Sequence, residues 1–198
     1  MRMKRKEVVF LALDSADPTI DWKMLENSEV WTLNDYYRVY PWLNPARVYQ
    51  VHTNIDLNIE TIQKERPKRW QNWREKYNES GAKIVTLAND EKLKNQHDWQ
   101  IGRICNYPAG FFTQTLAYMA ADAIEEEYSK VTMMGFSVMD RIDYHDCFPS
   151  CVYILEYMMD KGVCVEAPIY PQWKTKQIKL GIEVRLPNYN NEIYGVTF

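Results

Sequence analysis

Phe111-Phe112-Thr113-Gln114-Thr115-Leu116-Ala117-Tyr118-Met119-Ala120-Ala121-Asp122-Ala123-Ile124, followed by Val131-Thr132-Met133-Met134-Gly135-Phe136-Ser137, decides the fold. In the first run Phe112, Leu116, Met119, Ala120, Ala123 and Ile124 recur at helical spacing, and Thr113 stands where a capping hydroxyl belongs. The second run is a short apolar strand that stops at Gly135. A helix leading into a strand is one unit of an α/β fold. The hydroxyl-rich opening of that helix also suits an anion. Its free backbone N–H groups and the positive end of its dipole both favour a phosphate.

The same alternation continues outward. Residues 7–13, 29–33, 47–51 and 83–87 read as strands upstream, and 130–135 and 162–166 close the series. Between them Asp17 and Pro18 form a helix start, with Asp17 as cap and Pro18 in the first turn. Residues 58–77 read as a long helical stretch interrupted or restarted at Pro67, and 112–128 and 149–160 read as helices. Such β-then-α alternation predicts a mostly parallel sheet of five or six strands, covered on both faces and joined by right-handed crossovers. Residues 1–170 are expected to form this domain, with 171–198 as a β extension packed on it. In the extension Ile178, Leu180, Ile182, Val184 and Leu186 alternate like a half-exposed strand. Its expected role is a hairpin, a flap or a homodimer contact.

Bulk properties bound the function. The chain has 198 residues, 46% of them hydrophobic and 26% charged, as in a globular protein with one sizeable core. A net charge of -3 means that any nucleic-acid contact must come from a local patch. No apolar run approaches the roughly 18 residues of a spanning helix, so no membrane partner is expected. The basic start, Met1 to Lys6, is followed by an apolar run too short for a signal peptide, which ends at Asp14. A cytoplasmic protein is expected, with its four cysteines reduced. Cys147 and Cys151 alone are too few for a zinc site.

The strand ends carry Asp14-Ser15, Asn34-Asp35, His52-Thr53-Asn54, Asn89-Asp90 and Ser137. Ligands of open α/β sheets bind beyond the carboxyl ends of the strands. Each of these residues also suits a turn or a cap, but as a set they predict a ligand crevice. There is no G-x-G-x-x-G after the first strand, no G-x-x-x-x-G-K-[ST] and no G-x-S-x-G. Standard dinucleotide dehydrogenases, P-loop phosphoryl enzymes and α/β-hydrolases are therefore disfavoured.

Five segments carry a likeness: Trp31-Thr32-Leu33-Asn34, Arg47-Val48-Tyr49-Gln50-Val51-His52, Phe112 to Met119, Met134-Gly135-Phe136-Ser137-Val138-Met139, and Tyr144 through Leu155. Over residues 7–168 the chain resembles a group of small phage-encoded Rossmann-like proteins. That group is related to the 6-hydroxymethylpterin diphosphokinase-like proteins and to the bacterial sialyltransferases that use a CMP-sugar. The resemblance implies a three-layer Rossmann-like fold that binds a nucleotide or nucleotide sugar. It implies that Asn34 and the hydroxyls of Thr113 and Thr115 touch the nucleotide. The strand ends add Asp14, Ser15, Gly135 and Ser137 to that site, and the helix opening adds Gln114. Where the group has Gly-Val-Asp or Gly-Ile-Asp, this chain has Gly135-Phe136-Ser137 and so lacks a carboxylate. Its first loop also lacks glycine.

Sugar transfer with inversion needs a base for the acceptor hydroxyl proton. His145, oriented by Asp143 or Asp146, is the first candidate, and His52 at the end of the third strand is the second. The same residues also suit a solvated charged loop and a structural strand end. Asp140, Asp143 and Asp146 follow no known cation-cage spacing, so no divalent metal and no tightly bound cofactor is expected. In residues 64–77, Lys64, Arg66, Lys68, Arg69, Arg74 and Lys76 interleave with Trp70, Trp73 and Tyr77. Basic groups and stacking rings hold nucleic acids. An amphipathic helix with Trp70, Trp73 and Tyr77 facing the core reads the same residues differently. The expectation is a nucleotide-sugar-dependent glycosyltransferase, phage-encoded and acting on hydroxymethylated DNA bases in the host cytoplasm. The alternatives are a non-catalytic nucleotide-binding or interaction protein and a diphosphokinase.

Overall fold

Alternation within the strands builds the layers. In the computed structural model, which describes residues 6–52, 72–108, 111–112, 114–136 and 148–173, β1 (Glu7–Leu11) sends Val8 and Phe10 to one face and Val9 and Leu11 to the other. β2 (Val30–Leu33), β3 (Arg47–Gln50), β4 (Lys83–Thr86) and β6 (Lys130–Met134) repeat the division. Trp31, Tyr49, Val85, Val131 and Met133 join Val8 and Phe10. Val30, Val48, Ile84 and Met134 join Val9 and Leu11.

With β5 (Gln96–Asp98) and β7 (Cys164–Glu166), seven strands form one sheet in the order β5-β4-β3-β2-β1-β6-β7, and every neighbouring pair is parallel. α1 (Trp22–Glu26), α2 (Tyr36–Val39) and α3 (Trp73–Ser80) cover the Val9 face through Leu25, Tyr36, Trp73 and Tyr77. α4 (Thr115–Glu125) and α5 (Phe148–Asp160) cover the Val8 face through Leu116, Ala120, Leu155 and their neighbours. The chain therefore winds outward from β1 to β5, crosses the sheet, and restarts at β6 beside β1. This is the α/β, Rossmann-like arrangement expected, with its topological switch point between β1 and β6.

Three details differ from expectation. β5 is a seventh strand, and its Gln-His-Asp sequence has no apolar alternation. The first helix starts at Trp22, capped by Asp21, whose carboxylate accepts from Met24 N at 3.0 Å. Asp17 and Pro18 lie in the preceding turn, where Asp17 accepts from Thr19 N. α4 starts at Thr115 behind an extended Gln114 that makes no side-chain cap bond. The proposed extension beyond residue 173 lies outside the described residues.

α4 is anchored at the amino edge of the sheet. Asp122, 2% exposed, accepts from Tyr49 (2.8 Å), Trp99 (3.0 Å) and Arg103 (2.7 Å). Arg47 forks onto Glu126 at 2.6 Å, and its guanidinium lies 4.1 Å from the Trp31 ring centroid. A charge this deeply buried is tolerated only when paired and hydrogen-bonded. Fixing the end of α4 here leaves its first turn at the opposite, carboxyl edge.

Candidate functional site

β1 and β6 stay joined beyond their ends. Ala12 N donates to Met134 O at 2.9 Å, and Asp14 N to Gly135 O at 3.2 Å. Gly135 has φ +75, and a Cβ there would stand 2.7 Å from the carbonyl oxygen of Ala12. Only glycine suits that approach. Tyr40, 1% exposed, donates its hydroxyl to the same Ala12 oxygen at 2.8 Å. Burial, then the charges of Asp14 and Asp17, push its pKa far above the ordinary phenol value, so it remains a donor. Asp14 accepts from Ala16 N at 3.1 Å, and Ser15 is exposed. Asp14, Ser15 and Gly135 thus meet at the switch point.

Asn34 closes β2 in a left-handed conformation, φ 46. Its N–H donates to Tyr49 O at 3.1 Å, and its carbonyl accepts from Tyr77 OH at 2.6 Å. Gln50 Nε2 donates to the same Tyr77 oxygen at 3.1 Å, and burial raises the Tyr77 pKa well above normal. The backbone is held rigidly, yet the side-chain Oδ1 is buried and has no hydrogen-bond donor. Strained backbone and an unsatisfied buried acceptor are uncommon, and together they point to a functional position. His52 follows β3 half-buried, and its backbone N–H donates to Gln50 Oε1 at 3.3 Å. Asp35 pairs with Arg38, and Asp90 with Arg74, both at 2.6 Å.

On the other face Gln114 donates to Cys151 Sγ at 2.9 Å, which ties the start of α4 to the first turn of α5. Neither helix carries an acidic residue in its first turn. Thr115 is buried at the start of α4, and Ser150, 3% exposed in the first turn of α5, has an Oγ without a partner. The edge is therefore divided. Backbone donors and hydroxyls lie on the α4 and α5 side, while Asp14, Asp17, Asp21 and Asp35 lie on the α1 and α2 side.

The remaining expected residues divide in two. Thr113, Ser137, Asp143 and His145, with Lys64, Arg66, Lys68, Arg69 and Trp70, lie outside the described residues. Trp73 and Arg74 are described. Trp73 is 5% exposed, packs edge-on against Tyr77 at 5.4 Å, and has the Arg74 guanidinium 4.3 Å from its ring centroid. That places Trp73 in the core, as the amphipathic reading requires, and leaves its ring no face for a base. Tyr40, Tyr77 and Ser150 were not expected at this edge. Their signal is long-range: Tyr40 reaches Ala12 and Tyr77 reaches Asn34 only after folding.

Among the described residues no group of three or more His, Cys, Asp or Glu side chains could hold a metal ion, and Cys105 and Cys164 are free thiols. No described helix is long and apolar enough to cross a membrane. No protein-family model, curated protein or solved structure matches the chain.

Proposed function

We propose that the carboxyl edge of the sheet binds a nucleotide sugar and that the protein is a glycosyltransferase. Asn34 carries the reading. Its buried, donorless Oδ1 at the end of β2 calls for an N–H or O–H from a ligand. A nucleobase amine or a ribose hydroxyl supplies one. The acid-free first turns of α4 and α5 suit the phosphates. The resemblance to nucleotide-binding phage proteins and CMP-sugar transferases agrees with both.

In such a transfer a base takes the proton from the acceptor hydroxyl. That oxygen forms the new bond to the anomeric carbon, and the nucleotide leaves with the electrons of the broken C–O bond. His145 with Asp143 is the candidate base from the sequence, and His52, at the end of β3, is the other. A hydroxymethylated DNA base as acceptor rests on Lys64, Arg66, Lys68, Arg69 and Trp70. Arg74 is engaged by Asp90.

One observation favours a second reading, a nucleotide-binding protein without catalysis: Gly135-Phe136-Ser137 lacks the carboxylate of the resembling group. Calorimetry against CMP, UDP and GDP and their sugar derivatives tests the binding step. Asn34→Ala is expected to weaken binding about tenfold, the worth of one lost hydrogen bond of roughly 1.4 kcal/mol. Equal affinity in a folded Asn34→Ala protein refutes the site. Mass spectrometry of DNA nucleosides after incubation with nucleotide sugars separates the transferase from the non-catalytic reading.

A further inference from the structure

We propose that Trp22 and Trp42 form a stacking platform for a neutral sugar ring at the rim of this edge. The proposal deepens the reading above and rests on it only in taking sugar as the ligand.

Trp22 opens α1, and Trp42 lies just beyond α2. Their ring centroids are 5.5 Å apart at 71°, and both rings contact Tyr40, at 6.0 and 6.3 Å. Tyr40 in turn holds the Ala12 carbonyl beside Gly135. The pair is thus tied to the switch point by a buried side chain and is not on a wandering loop tip. Trp22 is 42% and Trp42 53% exposed, whereas Trp31, Trp99 and Trp173 are at most 1% exposed and Trp73 5%.

Size decides against a protein partner. An aromatic side chain has about 150–250 Å² to bury. Half of two such rings is roughly 200 Å², against about 800 Å² per partner in a stable protein interface. The other exposed large apolar residues among those described are Ile101 and Met159. They belong to the 3-10 helix Ile101–Asn106 and to α5, away from α1 and α2. An area this small matches one small ring.

Charge decides which ring. The Asp14 and Asp17 charges act on Tyr40, on which both indoles rest. Asp21 adjoins Trp22 in sequence and is exposed. Ionised carboxylates accept hydrogen bonds and repel anions. A nucleotide phosphate or a nucleic-acid backbone is therefore disfavoured here. A hexose presents a C–H face to an indole and a hydroxyl donor to the exposed carboxylate of Asp21. A methylated ammonium also suits rings and carboxylates, but its recognition uses rings that surround an open space. Here the two indoles are in direct edge contact, with no box between them.

The test is titration of the full-length protein with neutral methyl hexosides at millimolar concentration, read by the indole N–H proton signals. Trp22→Ala and Trp42→Ala assign the two signals, and Trp42→Phe keeps an aromatic face as a conservative control. Methyl hexosides are expected to move the Trp22 and Trp42 signals and leave Trp31 and Trp99 unmoved. Either alanine variant should lose at least tenfold in hexoside affinity, and Trp42→Phe should retain most of it. Absence of any hexoside shift overturns the proposal. So does a stronger response to tetramethylammonium, which assigns a cation site, or to CMP, which assigns a base platform. Nucleotide binding is read separately at Asn34, so either result can fail while the other stands.

Discussion

Gly135→Ala tests whether the β1–β6 junction is as tight as the structure makes it. At φ +75 a side chain costs about 1–2 kcal/mol in backbone strain alone. The new Cβ also stands 2.7 Å from Ala12 O and 3.2 Å from Ala12 C, both backbone atoms. Relief requires β1 and β6 to separate, which weakens the Ala12–Met134, Asp14–Gly135 and Tyr40–Ala12 hydrogen bonds. Partial loss of three bonds worth about 1 kcal/mol each adds about 2 kcal/mol. The expected total is about 3–4 kcal/mol, read from urea unfolding followed by tryptophan fluorescence, with the midpoint lowered and the slope unchanged. Tyr40→Phe separates the contributions. It removes one buried hydrogen bond, about 1 kcal/mol, and also the hydroxyl that lies 3.3 Å from the added Cβ. Because the nearest obstruction is the Ala12 carbonyl, Tyr40→Phe should not rescue Gly135→Ala. A Gly135→Ala protein within about 1 kcal/mol of wild type, or one restored by Tyr40→Phe, refutes the reasoning.

Two further perturbations address the opposite edge. Asp122→Ala leaves Tyr49, Trp99 and Arg103 without their shared acceptor. It should cost about 3–5 kcal/mol in thermal or urea unfolding without changing nucleotide affinity in the folded fraction. Acid sensitivity should have two components. Burial raises the Glu126 pKa, but the hydrogen bond and charge of Arg47 outweigh it and leave the carboxyl below its ordinary 4.5. Its stabilisation is therefore complete above that value and lost as pH falls through the lower folded one. Partial desolvation by the neighbouring residues, then the charge of Lys83, lowers the His97 pKa from 6.5, so its contribution is likewise present above 6.5 and lost as pH falls through its folded value. Glu126→Gln should remove the lower component and His97→Gln the upper one in unfolding measured across pH.

The inner strands were legible because burial on both faces or on one demands apolar residues at regular intervals. β1, β2, β3, β4 and β6 all satisfy that. β5 was not legible, because its partner β4 supplies the ladder and its exposed His97 and Asp98 need no apolar pattern. The start of α1 was ambiguous for a local reason. Asp17 and Asp21 both accept a backbone N–H, one two residues on and the other three residues on. The first makes a turn and the second a helix cap, and the short sequence permits both. Trp73 and Tyr77, one helical turn apart, are buried as the amphipathic reading of that stretch has them, although the sequence equally allowed Trp73 as a stacking ring. At the site, the polar strand ends followed from the rule for open sheets. The left-handed Asn34 did not, because its carbonyl is held by Tyr77 from a helix 43 residues away.

The division of the carboxyl edge follows from the topology. Strands β1 and β2 lead into short helices, so their ends carry Asp residues that cap and turn: Asp14, Asp17, Asp21 and Asp35. Longer helices flank β6, with α4 leading into it and α5 leading out of it, and the first turns of both carry no acids. A ligand spanning the switch point therefore meets opposite fields at its two ends. Under the proposed function, a nucleotide sugar has one productive orientation, with its diphosphate toward α4 and α5 and its neutral sugar toward Trp22 and Trp42. Reversal would set the diphosphate against the carboxylates, a like-charge arrangement that costs several kcal/mol at an interface. The carboxylates thus favour the sugar by excluding the phosphate, so neutralising Asp14 and Asp21 together should weaken discrimination between a nucleotide sugar and its parent nucleotide. Binding isotherms for the paired ligands on Asp14→Asn/Asp21→Asn measure that ratio directly. An unchanged ratio, with Asn34→Ala still defective, would place the sugar elsewhere.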